Sequence, residues 1–269
     1  MGLKISELFY SVQAEGTSTG IPSIFIRLQG CNLMCGGPGG SLMKEGKATW
    51  WCDTEAVWKL GKEYSNEDLY NEFKEMGQID NIRTHRTRLI WTGGEPTMPR
   101  HVDAIAEFID FIRKEHDIYP YSEIETNGTI PIKDNGLQFY HRESNAEYSP
   151  TNTTTPYIQQ INCSPKLSNS GLSESMRINK STIEQIKQHY SGNYQFKFVI
   201  STEDDVHELE ETFIKPFNIH WDKVVLMPGL DKQEDAAERT RFVYDMAKKF
   251  GYRAVTRGHV IAWDQLTGV

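Results

Sequence analysis

The segment IPSIFIRLQGCNLMC, residues 21–35, decides how the rest of the chain is read. Its first ten residues form a β-branched and aromatic run that predicts a strand over 21–30, and the strand ends directly on Cys31, with Cys35 close behind. A third thiol, Cys52, follows after sixteen further residues, GGPGGSLMKEGKATWW (36–51). The fourth, Cys163, is more than a hundred residues away. Three clustered thiols just past a strand end ask for a fold that builds sites at strand ends.

The flanking sequence supplies one. RLIWTGGEP (88–96) predicts a second strand ending in a double glycine, and YSEIETNGT (121–129) a third strand and turn. YIQQINCSPK (157–166), QFKFVIS (195–201) and DKVVLMPG (222–229) predict three more, and YRAVTRGHVIAW (252–263) predicts a closing strand. Between them lie segments with helical spacing. SNEDLYNEFKEMG (65–77) sets Leu69, Phe73 and Met76 behind a cap at Ser65 or Asn66, and VDAIAEFIDFIRKEH (102–116) is the clearest amphipathic helix. Further helices are expected near 180–190, over 203–217 and over 233–250. A polar interval rich in Asn, Thr and Ser, at about 133–157, predicts a loop insertion. Strand followed by helix, about six times over, means a parallel sheet with crossover connections. A complete eight-unit barrel is tight in 269 residues. The expectation is therefore α/β: one domain over 1–269, an incomplete (β/α)6 TIM-like barrel with a loop of thiols after strand 1, and its site at the C-terminal edge of the strands.

Composition narrows the function. No stretch approaches the roughly 18 apolar residues of a membrane span, and MGLKISELFYSVQAEG lacks the basic head and apolar run of a secretory signal, so a cytoplasmic protein is expected. Four cysteines in this length are too few for a disulfide scaffold and suggest metal or redox chemistry. The net charge of -8 argues against wrapping of nucleic acid. A small substrate or a docked protein is left.

Two readings of the thiols stand side by side. A structural zinc site needs four closed ligands, for which His85 or His101 is the candidate fourth, since Cys163 reads as a buried small apolar residue. An iron–sulfur cluster held by three thiolates instead leaves one iron open to a non-protein ligand. TGGEP (92–96) favours the second, because Gly93 and Gly94 present bare backbone to an amino-acid-like ligand and Glu95 can accept from an ammonium group.

With these residues together, the chain resembles the radical S-adenosylmethionine (SAM) superfamily, and within it the 7-carboxy-7-deazaguanine synthase family. ELFYSVQAEGTSTGIPSIFIRLQGCNLMC, WCDT, TGGEP, ETNGT and SPK carry the resemblance over most of the chain. The resemblance implies a radical SAM type of barrel and a carbon–nitrogen lyase that contracts the ring of 6-carboxy-5,6,7,8-tetrahydropterin to 7-carboxy-7-deazaguanine, with loss of ammonia, in queuosine-type 7-deazapurine biosynthesis. It implies that Cys31, Cys35 and Cys52 ligate a [4Fe–4S] cluster whose open iron takes SAM. Gly93, Gly94, Glu95, Trp51, Asp53, Ser164, Pro165 and Lys166 would hold SAM, with MPGL (227–230) closing over it. Thr54 would bind Mg²⁺. Val12, Gln13 and Ala14 in an N-terminal loop, with Arg27, Thr92 and Glu125, would hold the pterin, Arg27 as the fork on its carboxylate. Arg27 and Glu125 would also serve the reaction itself. A one-electron donor such as flavodoxin or ferredoxin and a homodimer are implied as well. The sixteen residues between the second and third thiols, Ala14 in place of a glycine, and the C-terminal RGHVIAWDQLTGV depart from the family pattern. His259 is a candidate contact there. The alternatives are a radical SAM activase that makes a glycyl radical on a partner protein, and a non-catalytic zinc module.

Overall fold

The structure, a computed structural model, describes residues 2–131, 157–189 and 193–269. One mixed sheet of nine strands organises it: β1 (Leu3–Val12), β2 (Pro22–Leu28), β3 (Lys62–Tyr64), β4 (Arg88–Gly93), β5 (Ser122–Thr126), β6 (Gln160–Cys163), β7 (Tyr194–Ile200), β8 (Val224–Pro228) and β9 (Arg253–Ala254). Their spatial order is β3-β1-β2-β4-β5-β6-β7-β8-β9. β1 runs antiparallel to β2 and β3, and every pairing from β2 to β9 is parallel.

Crossover helices cover one face: α1 (Asn66–Glu75), α2 (Pro99–His116), α3 (Lys180–His189), α4 (Glu203–Leu209) and α5 (Ala236–Phe250), followed by a short α6 (Gly258–Trp263). Local chemistry starts them where the sequence suggests. The Ser65 hydroxyl accepts from the Asp68 N–H at 3.1 Å and the Asp68 carboxylate accepts from the Ser65 N–H at 3.1 Å, a capping box on α1. Thr202 and Asp205 repeat it on α4; such caps contribute about 1 kcal/mol each. α2 begins on Pro99, whose missing N–H has no role in a first turn, and ends on Asp117 in a left-handed conformation, φ 50°. Its stripe Val102, Ile105, Phe108, Ile109 and Ile112 is buried against the sheet, where Phe108 meets Trp91 edge-on at 5.9 Å.

Period-2 alternation divides each parallel strand between two environments. Ile24, Ile26, Leu28, Leu89, Trp91, Ile124, Ile161, Cys163, Phe196, Phe198, Val224 and Leu226 all join the apolar core under the helices. Their alternates, Arg27, Thr92, Glu123, Glu125, Asn162, Gln195 and Lys197, stand on the other face. Parallel strands buried on both faces are ordinarily apolar throughout. Here the second face is polar, and register aligns it: Arg27 lies opposite Thr92, Glu125 opposite Asn162, and Asn162 opposite Gln195.

The structure corrects two expectations. The N-terminal segment is the ten-residue strand β1, so Val12 ends a strand and only Gln13 and Ala14 lie in the loop. Residues 252–263 do not form one strand: β9 is two residues long, and the chain then leaves the sheet for α6. It leaves because Gly258 donates to the Ala14 carbonyl at 3.2 Å and Val260 packs with Leu230 and Ala236. The expected insertion at about 133–157 lies outside the described residues except for Tyr157. Among the described residues no helix is long and apolar enough to cross a membrane.

Candidate active site

Where β2, β4, β5, β6, β7 and β8 end, the polar face opens into a cavity of about 640 Å³. Cys31, Cys35 and Cys52 all line it, and Cys31 and Cys52 pack against a small cluster of Leu33, Cys35 and Trp50. The insert between the second and third thiols does not separate them. The Cys52 N–H donates to the Cys35 carbonyl at 3.1 Å, closing the excursion at its base. Residues 36–49 fold back on themselves through Leu42 N–H to Gly36 O at 2.9 Å. They dock on the turn after β6 through Gly36 N–H to Ser170 O at 2.8 Å and Thr49 N–H to Asn169 O at 2.9 Å. Trp50 Nε1 donates to Asn169 Oδ1 at 2.9 Å. Replacing 38–48 with two glycines is therefore expected to leave iron content after reconstitution unchanged while lowering the thermal midpoint by a few degrees, as the packing of Leu42 and Ala48 on Gly171 is lost. Calorimetry and iron assay check both.

Burial pushes the Cys31 thiol up to about 12 and the Cys35 thiol up to about 11. Such thiols give up their protons to a metal rather than to water. Cys31 Sγ already accepts from the Leu33 N–H at 3.4 Å, and Asn127 Nδ2 lies 4.0 Å away. Neither His85 nor His101, the candidate fourth zinc ligands, lines the cavity with the thiols. His101 is buried with Nε2 3.0 Å from the Gln29 carbonyl, and His85 Nε2 lies 2.8 Å from the Tyr119 carbonyl. Among the described residues no group of three or more His, Cys, Asp and Glu side chains is set to hold a single ion. Cys163 sits in the helix-side core, wholly buried, as read from the sequence. Three thiols lining one cavity, with the fourth cysteine buried elsewhere, fit a thiolate-held cluster with one open corner.

The double glycine has a cause that ties it to the thiols. The Gly94 N–H donates to Leu28 O at 3.0 Å and the Glu95 N–H to Gly30 O at 2.8 Å, so TGGEP lies directly on the chain leading into Cys31. Gly93 holds φ 109°, which L side chains rarely adopt. Glu95 does not reach the cavity. It is fully buried behind the wall, where it accepts from Thr97 N–H at 2.9 Å, Thr97 Oγ1 at 2.6 Å, Thr126 Oγ1 at 2.7 Å and Asn127 N–H at 2.7 Å. Its carboxylate organises the loops after β4 and β5 instead of meeting a ligand's ammonium. Ser164 and Lys166 line the cavity while Pro165 does not. Lys166 Nζ donates to Ser164 Oγ at 3.0 Å and lies 5.6 Å over the Trp50 ring. Trp51, Asp53 and Thr54 line it beside Cys52, with Thr54 Oγ1 3.5 Å from Cys52 Sγ.

The same cavity is lined by Val12, Gln13, Ala14, Arg27, Thr92 and Glu125. Glu7 accepts from Arg27 Nε at 2.9 Å, which pins the guanidinium, and its two terminal nitrogens have no hydrogen-bond partner among the described residues. Sequence reasoning passes over three charged neighbours. Lys197, 2% exposed, donates to Glu125 at 2.7 Å and to Glu15 at 3.1 Å. Arg257 donates through Nε to Glu15 at 3.0 Å, through another nitrogen to Leu230 O at 2.8 Å, and also to Asp53. An alternating chain of charge, Asp53–Arg257–Glu15–Lys197–Glu125, thus links the thiol loop, the C-terminal segment and the sheet interior. Burial alone would raise the Glu15 pKa, but Lys197 and Arg257 hold it well below the usual carboxylate range. Glu125, sharing one cation and facing Glu15 and Glu123, is raised by burial despite Lys197. His259, also a lining residue, is lowered by burial and by Arg257. A lysine inside the run QFKFVIS was the available signal, since a parallel strand buried on both faces carries charge only for a reason.

Known proteins with related chains agree on one kind. The 7-carboxy-7-deazaguanine synthase of Pyrobaculum aerophilum is 27% identical over 274 residues, covering 99% of this chain and 97% of its own. That of Rhodopirellula baltica is 31% identical over 259 residues, covering 95% and 84%. A crystal structure of QueE from Escherichia coli matches the fold with a TM-score of 0.60 at 22% identity, over 96% of this chain and 95% of that one. No model of a known protein family matches.

Proposed function

The chain belongs to the 7-carboxy-7-deazaguanine synthase family, and from that premise we propose that it converts 6-carboxy-5,6,7,8-tetrahydropterin to 7-carboxy-7-deazaguanine with loss of ammonia, as a radical SAM enzyme. The observation that carries this reading is one cavity lined by Cys31, Cys35 and Cys52, by the bare backbone of Gly93 and Gly94, and by Arg27 and Glu125. We read the sheet from β2 to β8 as an incomplete six-unit barrel in a single domain over 1–269, with the cluster loop after β2. When bound, the [4Fe–4S] cluster and SAM supply a carbon radical that removes hydrogen from the pterin.

The chain's own residues bind, orient and seal. Cys31, Cys35 and Cys52 would ligate the cluster. Gly93 and Gly94 would meet the methionine part of SAM through backbone, with Trp51, Asp53, Ser164 and Lys166 along its length and Pro165 and Glu95 shaping the wall from behind. The free nitrogens of Arg27 suit a bidentate fork on the substrate carboxylate. Gln13, Thr92 and Glu125 would meet the ring, flanked by Val12 and Ala14, and Thr54 offers Mg²⁺ one hard oxygen while substrate and water supply the rest. Such positioning would present a single C–H bond of the substrate to the chemistry that bound SAM supplies. An external one-electron donor of the flavodoxin or ferredoxin kind, a homodimer and a cytoplasmic setting complete the proposal.

A cavity of about 640 Å³ lies within the range of small-molecule sites, which supports a pterin over the protein segment that a glycyl-radical activase must admit. Anaerobic reconstitution, then incubation with the carboxypterin, SAM, Mg²⁺ and a strong reductant, tests the reading by mass spectrometry of the product. A colourless protein holding one tight zinc and yielding no deazapurine would refute it. Arg27→Ala is expected to lower kcat/KM for the carboxypterin by about tenfold to a hundredfold, the loss of a charge-assisted pair, while SAM cleavage by reduced enzyme persists. Unchanged kcat/KM removes Arg27 from its role.

A further inference from the structure

We propose that Lys197 is the positioning residue that sets ring specificity: it clamps Glu125 and Glu15 together and holds Glu125 as an acceptor for a single ring N–H donor of the substrate heterocycle. The inference rests on the carboxypterin reading of the cavity and adds to it a residue that touches no substrate. Its basis is geometric. Lys197 Nζ sits between two carboxylates, 2.7 Å from Glu125 Oε2 and 3.1 Å from Glu15 Oε2, and both acids line the cavity. Glu125 Oε1 is filled by two amide donors, Gln13 Nε2 at 3.1 Å and Asn162 Nδ2 at 3.0 Å. Oε2 carries Lys197 alone, so one of its two acceptor directions is left for a ligand donor.

Electrostatics explains why a lysine is needed. The groups facing Glu125 are Lys197 from β7, Gln13 and Glu15 from the loop after β1, Asn162 from β6, and Glu123 two residues back on its own strand. Glu123 has its own cation, Arg88, and Glu15 has a second in Arg257. Among the described residues Glu125 has Lys197 alone. Without it a buried carboxylate beside two more acids takes up a proton, and its oxygen turns from acceptor to donor exactly where the ring N–H must be received.

Lys197→Met keeps the length of the side chain and removes the charge. Equilibrium binding of the carboxypterin to reconstituted, SAM-loaded protein is expected to weaken by about tenfold or more at pH 6.5, the worth of a hydrogen bond to a charged group. The loss should shrink as pH rises to 9 and Glu125 ionises, whereas wild type stays flat. Lys197→Met/Glu125→Gln removes both charges, relieving any folding defect left by an unpaired buried acid, and is expected to bind weakly at every pH. A purely structural role for Lys197 predicts instead equal, pH-independent losses in the two variants. That result overturns the proposal, as does wild-type affinity in Lys197→Met. If wild type itself neither binds nor converts the carboxypterin, the substrate reading has failed, and the clamp proposal falls with it. Wild-type turnover alongside an unaffected Lys197→Met sinks the clamp alone.

Discussion

Gly94→Ala will lower turnover by about a hundredfold or more and leave the protein folded. A Cβ on Gly94 would stand 1.6 Å from the Gly30 carbonyl oxygen, 2.1 Å from its carbon and 2.8 Å from the Cys31 nitrogen. These are backbone atoms, which cannot swing aside as the tip of a side chain can. Conformation is not the obstacle, because Gly94, unlike Gly93, does not hold a positive φ. The obstacle is space, and the groups forced to move are the peptide that delivers the first thiol and the bond from the Glu95 N–H to Gly30 O. Both the thiol loop and the backbone proposed to meet methionine would shift together, and a displacement of about 1 Å at a reacting centre is enough for a loss of this size. Circular dichroism should match wild type while product formation collapses. Full activity in Gly94→Ala would mean that the strand-end contact is not part of the working site.

Cys52→Ser is expected to abolish both product and four-iron content, with the absorption near 400 nm falling to background. Serine keeps the backbone bond from residue 52 to the Cys35 carbonyl, so the loop retains its closure and the effect isolates the sulfur. Neither of the other donors considered for the thiol site can replace it. Cys163 is buried on the helix side of the sheet, and His101 is committed to the Gln29 carbonyl. A hydroxyl is a hard donor that stays protonated near neutral pH and binds iron–sulfur clusters poorly in place of thiolate. Retention of four irons and normal deazapurine formation in this variant would overturn the assignment of the third ligand.

Much of this was legible in advance because strands and helices announce themselves by period. The parallel core from β2 to β8, α2 and the Ser65 cap follow from alternation and capping chemistry. So does the meeting of Cys31 with TGGEP, since both end neighbouring strands. The misses have physical reasons. β1 escaped because its outer alternates are mixed and its partner β3 is three residues long, so neither segment carries a strong pattern. Residues 252–263 look like a strand, but tertiary contacts from Ala14, Glu15 and Asp53 pull Arg257 and Gly258 off the sheet. The motif position of Glu95 suggests a ligand, whereas four hydroxyl and amide donors hold it behind the wall. Lys197 and Arg257 are invisible as site residues because their acidic partners are 72 to 242 positions away in sequence.

The hydrogen bond from Cys52 to Cys35 has a use at the bench. It makes the stretch between them a bubble whose length is nearly free, because closing a longer loop adds little entropy cost. At its far side Lys47 is exposed and, unlike the neighbouring Gly46 at φ 71°, does not hold a positive φ, so another L side chain fits its backbone. A dye-bearing cysteine in place of Lys47 would report on the loop that carries Cys52 while leaving the three clustered sulfurs as they are.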